Sequence, residues 1–241
     1  MKEVGSLYIV GTPIGNLSDM SFRAVEVLKT SELILCESLM ASKKLFSHFQ
    51  ITTKAKQLYN STRMEDLDWL LKMLSQGDSI SYISEAGTPG VSDPGGKLVR
   101  FVRENGFEII PIPGASSLTS ILSVSGSQVN PTIFLGFPPD KKGKRENFFS
   151  PYKDFEGLIV FLESVYRVED TLLQTRELFP HSEIIIGREL TKIHEEIILW
   201  EPSKELPKFT LKGEFVVLIN NHRRKIAKEL LNLHDNGNNR E

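Results

Sequence analysis

The chain has 241 residues, a net charge of −2, 40% apolar and 25% charged residues, which excludes a disordered chain and a globally cationic nucleic-acid binder. It is long enough for one large domain or two small ones with a full core. Cys36 is the single cysteine and the five histidines form no HxxxH-type cluster, so a disulfide framework and a structural metal are not expected.

The opening MKEVGSLYIVGTP is too short and interrupted for a secretory leader, and no apolar run is long enough to cross a bilayer. A cytoplasmic location and no membrane partner are therefore expected. From there the first half alternates strand-like runs with amphipathic ones. LYIV (7–10), ELILCE (32–37), SISYI (79–83) and EIIPI (108–112) read as strands, with AKQLY (55–59) as a weaker fifth. SFRAVEVLKT, MASKKLFSHF, MEDLDWLLKMLSQG and GKLVRFVRENG lie between them as helices, and ASSLTSILSVSG follows the last strand. In the third helix Leu67, Leu70, Leu71 and Leu74 recur at offsets of three and four, which makes one apolar face. Such alternation predicts a largely parallel sheet covered on both sides.

The second half, from near Pro131, holds IFLGF, GLIVFLES, EIIIGREL, EEIILW and EFVVLIN as strands, with one clear long helix, YRVEDTLLQTRELF. The close spacing of the last three strands predicts antiparallel pairing. The expected organisation is α/β in two domains, 1–117 and 118–222, followed by a terminal helix and polar tail over 223–241.

Three strand-terminal loops are conformationally specialised: GTPIGNLSD, SEAGTPGVSDPG and PGASS. Ligand sites of open α/β sheets lie outside the carboxyl ends of the strands, so these loops are expected to converge on one site. The first is neither GxGxxG nor a lysine-bearing phosphate loop, which argues against a nucleoside triphosphate. Glu37 ends the second strand, where its carboxylate can point into the same site. Asp93 can contact a ligand or cap the helix that begins near Gly95. Ser116 and Ser117 offer the same two roles at the next helix. In the second half Glu163 follows IVFL, and GRELTK supplies Arg188, Glu189 and Thr191, an arrangement also typical of structural ion pairs. KKGKR (141–145) reads either as a solvated charge run or as a flexible arm whose cations meet phosphates.

Taken in order, LYIVGTPIGNLSD, SEAGTPGVSDPGGKLVR, PIPGASSLTSILSVSG, FLGFPPDKKGKR, VFLESVYR, GRELTKIHEE and LKGEFVVLI resemble the signatures of RsmI-type 16S ribosomal RNA 2′-O-ribose methyltransferases, within the tetrapyrrole methylase superfamily. The resemblance runs from about residue 7 to residue 219. It implies a class III methyltransferase fold, with a mostly parallel N-terminal sheet and a mixed C-terminal one. It also implies a homodimer and S-adenosyl-L-methionine held in a cleft between two domains. Carried onto this sequence, Pro13 and Gly15 border the cofactor, Thr88, Pro89, Val91 and Asp93 line its methionine or ribose side, and Ser116 and Ser117 lie beneath the adenosyl group. Leu162, Gly187 and Gly213 close the pocket from the second domain. Glu37 is the candidate base, with Arg188 and Glu189 as candidates to orient the acceptor. Lys141, Lys142, Lys144 and Arg145 face the RNA of the small ribosomal subunit.

Two segments depart from the family pattern. ESLMAS stands where members carry EDTRHT, and YNSTRMED lacks the histidine of the HNE pattern. The cofactor-side loops are kept, whereas the polar residues expected on the substrate side are changed. A methylase of a tetrapyrrole or other small molecule, and a non-catalytic paralogue that binds cofactor or RNA, are the alternatives.

Overall fold

The computed structural model describes residues 4–59, 61–93 and 95–222, so the helix and tail expected over 223–241 lie outside the described residues. The chain divides into two compact units, Met1–Ser117 and Leu118–Glu241.

In the first unit, β1 (Ser6–Val10) leads to α1 (Phe22–Thr30), β2 (Leu33–Cys36), α2 (Leu39–Phe49) and β3 (Ala55–Gln57). Then follow α3 (Asp68–Ser75), β4 (Ile80–Ile83), α4 (Gly95–Glu104) and β5 (Glu108–Ile112), with α5 (Ser117–Ser123) beginning at the boundary. The helices start where side chains replace missing backbone acceptors. Ser21 accepts from Ala24 N–H at 3.1 Å, and Ser38 from Ala41 N–H at 3.2 Å. The sheet order is β3-β2-β4-β1-β5 and every pairing is parallel. Parallel strands buried on both faces read as continuous apolar runs, and β4 is buried at all four positions. Leu67, Leu70 and Leu74 pack beneath the sheet with Leu7, Tyr82 and Leu98, while Leu71 of the same predicted stripe is half-buried.

The second unit contains β6 (Thr132–Phe134), α6 (Lys142–Phe149), β7 (Leu158–Ser164), α7 (Val168–Leu178), β8 (Glu183–Arg188), β9 (Glu196–Trp200) and β10 (Glu214–Asn220). Its order is β6-β7-β10-β8-β9, with β6 parallel to β7 and the other pairs antiparallel. The last three strands thus pair as their spacing predicts. The core gathers Phe149, Phe161, Leu172, Phe179, Ile186 and Val217. The helix α6 was not expected: KKGKR opens a helix where the sequence reads as a flexible arm.

Candidate active site

Parallel pairing places the carboxyl ends of β1, β2, β4 and β5 on one edge of the first sheet, and the three glycine-rich loops are tied together there. Gly11 N–H donates to Ile112 O at 2.9 Å, Thr12 N–H to Gly87 O at 2.9 Å, and Thr88 Oγ1 to Ala115 O at 3.4 Å. At Gly11 and Gly114 the backbones touch: a Cβ on Gly114 would stand 2.6 Å from the Gly11 carbonyl carbon, and one on Gly11 2.7 Å from Gly114 N. Neither position has room for a side chain. The expected convergence of the three loops is realised.

The long loop is folded on its own carboxylate. Asp93 accepts from Gly90 N–H through both oxygens, at 2.8 and 2.9 Å, and from Gly95 N–H at 2.8 Å. Asp93 therefore staples the loop to the start of α4, the capping role that its position in the sequence also offers. Pro89 is likewise buried and shapes the turn, while Thr88 and Pro13 are half-buried and Gly15, Gly90 and Val91 are exposed. A Cβ on Gly90 would meet nothing within 4 Å, and its N–H is taken up by Asp93. Ser116 and Ser117 are half-buried at the start of α5.

Glu37, directly after β2, is half-buried and accepts from Glu85 N–H at 3.3 Å. Burial pushes its carboxyl above the ordinary range; the Glu85 N–H opposes this, and the negative charges of Glu85 and Asp93 add to it. A cavity of about 140 Å³ opens at Glu85, lined also by Thr12, Pro13, Gly15, Lys44 and Ser84. Small-molecule sites usually measure about 300–1,000 Å³.

Tyr82 was missed by sequence reasoning, which assigned SISYI to the core. It is fully buried on β4, and its hydroxyl has no hydrogen-bond partner among the described residues. Burial first, then the negative charges of Asp93 and Glu37, raise its pKa far above the ordinary phenol. A Cβ on Gly95 would stand 2.7 Å from Tyr82 Cε1, so the ring supports the Asp93 staple from below. The one sequence signal was a polar-tipped residue two positions before the long loop.

In the second unit the expected acceptor-orienting pair is held by several hydrogen bonds. Arg188 is 4% exposed and donates to Glu196 at 2.8 Å and to the carbonyls of Lys212 and His194 at 3.0 Å each. Glu189 adopts φ +50° and accepts from Lys192 Nζ at 2.7 Å and Glu214 N–H at 3.0 Å. Burial works to raise its pKa, but the Lys192 ammonium and the Glu214 amide overcome it and hold the carboxyl below the usual range. Both side chains are thus engaged by partners within the second unit. Gly213, at φ +98°, lets Glu189 pass: a Cβ there would stand 2.4 Å from Glu189 Cγ and Cδ. Gly187 is buried, and its missing side chain is filled by Val216, Ile121 and Leu190, so it presents no backbone to a ligand. Leu162 is half-buried in β7, and its N–H donates to Gly136 O at 2.9 Å.

The expected RNA-facing cations divide. Lys141, Lys142 and Lys144 are exposed, whereas Arg145 is 3% exposed and turned inward. Its guanidinium donates to Gln174 Oε1 and to Asp140 O. Among the described residues no group of three His, Cys, Asp or Glu side chains could hold a metal, and no helix is long and apolar enough to cross a membrane.

The profile of the tetrapyrrole (corrin/porphyrin) methylases matches residues 6–206. The ribosomal RNA small subunit methyltransferase I of Leptospira biflexa is 48% identical over 229 residues, covering 94% of this chain and 95% of that protein. Its counterpart in Borrelia garinii is 39% identical, covering 88% and 97%. Among solved structures, the methyltransferase CobJ superposes with a TM-score of 0.65 at 17% identity, over 90% of this chain and 94% of that one. The uroporphyrin-III C-methyltransferase of Thermus thermophilus gives 0.59 at 17% identity, over 93% and 98%. These two likenesses show the fold. With the profile and the near-full-length relatives, they place the chain in the tetrapyrrole methylase family of S-adenosylmethionine-dependent methyltransferases, among its RsmI-type members.

Proposed function

We propose that the protein transfers a methyl group to a ribose 2′-hydroxyl of 16S ribosomal RNA in the small ribosomal subunit. The observation that carries this reading is the 48% identity over nearly the whole chain to a protein named ribosomal RNA small subunit methyltransferase I. The retained and tied loops of the first sheet support it from the side of the cofactor. Gly15, Gly90, Val91, Thr88, Ser116 and Ser117 hold the cofactor in this reading. When bound, S-adenosylmethionine supplies an electrophilic sulfonium methyl. The chain's own task is to aim the hydroxyl, strip water from it and take its proton. Glu37 takes that proton: a carboxylate whose pKa is raised by burial is a stronger base than a solvated one. The exposed Lys141, Lys142 and Lys144 meet phosphates. The protein works as a homodimer in the cytoplasm, where its substrate is assembled.

The test is incubation with radiolabelled S-adenosylmethionine and 30S subunits purified from cells lacking the gene, followed by nuclease mapping. Label on one ribose is the expected result. Label confined to porphyrinoid extracts would replace RNA by a small-molecule acceptor. Cofactor binding without transfer to either would mark a paralogue that has lost turnover.

A further inference from the structure

A run of lysines is ordinarily a mobile, solvated feature, and ordering each side chain against a ligand costs conformational entropy. In this protein the run at 141–145 is held at both ends. On its N-terminal side, the Asp140 carboxylate pairs with Arg167. Arg167 in turn donates to the buried Glu163 through Nε at 3.0 Å and Nη2 at 2.7 Å. Glu163 also accepts from Thr171 Oγ1 and from Ser164 N–H, each at 2.7 Å, which fixes it to the start of α7. Within the run, Gln174 of α7 accepts from Arg145 Nε and donates to Lys142 O at 3.2 Å. Arg145 closes the circuit by donating to Asp140 O at 3.2 Å. One turn on, Phe149 is fully buried and packs edge-on to Phe161 of β7, with ring centroids 5.0 Å apart.

The charges are as informative as the bonds. Arg145 is buried against neutral acceptors, and among the described residues it makes no ion pair. A buried cation without a carboxylate is costly in isolation, and a nearby anion relieves that cost. Lys141, Lys142 and Lys144 are exposed directly around it and also make no ion pair among the described residues. Of the neighbouring carboxylates, Asp140 and Glu163 are occupied by Arg167, and Glu146, directly after Arg145 and four residues on from Lys142, is exposed.

We propose that Arg145, Gln174 and Arg167 are positioning residues that mount Lys141, Lys142 and Lys144 as a preformed platform for consecutive phosphates of an RNA strand. This deepens, and rests on, the reading of the substrate as RNA. The platform contacts backbone and carries no sequence information; its role is to set the register of the strand. Preorganisation lowers the ordering cost of binding, so the mounts act on affinity for RNA.

The experiment is a mutant cycle on the full chain, with a short single-stranded oligoribonucleotide as binding probe and 30S subunits as methylation substrate. Cofactor binding and thermal melting certify that each variant is folded. Replacing Lys141, Lys142 and Lys144 together by Ala is expected to weaken probe binding and flatten its salt dependence by about 2 in log–log slope, at roughly 0.7 per lost phosphate contact. Arg145→Met is expected to lower affinity roughly 5- to 10-fold in the wild-type background through loss of preorganisation, to flatten the slope, and to show its effect on methylation in KM rather than kcat. In the triple-lysine background the same substitution is expected to add nothing, because the mounts act through the lysines. Gln174→Leu cuts the tether without removing a charge and should reproduce the effect if Arg145→Met does not fold. If the triple variant is impaired while Arg145→Met and Gln174→Leu bind normally, the mounting is wrong and the RNA-facing lysines stand. An Arg145 effect that persists without the lysines also overturns it. A triple variant that binds as tightly as wild type removes the RNA-facing reading itself.

Discussion

The carboxyl edge of the first sheet and the strand ends of the second treat charge in opposite ways. At the first, burial raises the proton affinity of Glu37 and the negative charges of Glu85 and Asp93 add to it, and none of the three carboxylates is paired with a cation among the described residues. In the second unit the side chains that look catalytic are neutralised: Arg188 by Glu196, Glu189 by Lys192, and Glu163 by Arg167. All but one of the ion pairs among the described residues lie there. A carboxylate left without a counter-ion keeps its basicity, whereas a paired one has given it up for structure. The difference separates groups available for proton transfer from groups that build the scaffold.

The comparison is broken most forcefully at Glu163. Its four hydrogen bonds connect β7, Arg167 and α7, and its side chain is fully buried. Glu163→Ala leaves Thr171 Oγ1 and part of Arg167 unsatisfied, a loss of about 3–5 kcal/mol for breaking a buried pair. Urea unfolding should show it as a lower midpoint. A midpoint within error of wild type would mean that the second unit's charges are not scaffold.

The glycine contact of the first unit comes next. Gly114→Ala forces a methyl onto the Gly11 carbonyl, and backbone atoms cannot rotate out of the way. The expected cost is about 1–3 kcal/mol for overpacking, with weakened binding of S-adenosylmethionine by calorimetry. Full cofactor affinity in a variant that shows the stability loss would remove the tied loops from the cofactor site.

Local chemistry explains which parts were legible in the sequence. The strands of both sheets follow from apolar runs, and the three loops from Gly and Pro at strand ends, because those signals act within a few residues. The inward turn of Arg145 was not legible because it depends on Gln174, 29 positions away. The partners of Arg188 were not legible for the same reason: His194, Glu196 and Lys212 are brought to it by the pairing of β8 with its neighbours. Gly187 looks like a backbone window in sequence, yet Val216 and Ile121 occupy the space above it. Tyr82 carried almost no signal, since a strand tyrosine usually finds a partner and this hydroxyl has none among the described residues. Residue types announced the site, and tertiary packing decided which of them remained free.

The smallest expected effect on stability, and the sharpest for mechanism, comes from Glu37→Gln. The folded state raises the Glu37 pKa through burial and the neighbouring carboxylates, so the folded protein binds this proton more tightly than the unfolded chain. That contribution to stability is fully present below the unfolded value and is lost as pH rises through the folded one. The wild type therefore carries a penalty at neutral pH that the uncharged amide escapes. Glu37→Gln should melt slightly higher than wild type at pH 7, and the difference should vanish as acid protonates the carboxyl. Methyl transfer should move the other way, with turnover falling about 10²-fold or more if the base is essential while cofactor affinity is spared. The acidic limb of the wild-type pH–rate profile should disappear in the variant. A more stable protein with undiminished turnover would show that the unpaired carboxylate is only a strained neighbour of the loop, and the contrast between the two units would lose its catalytic meaning.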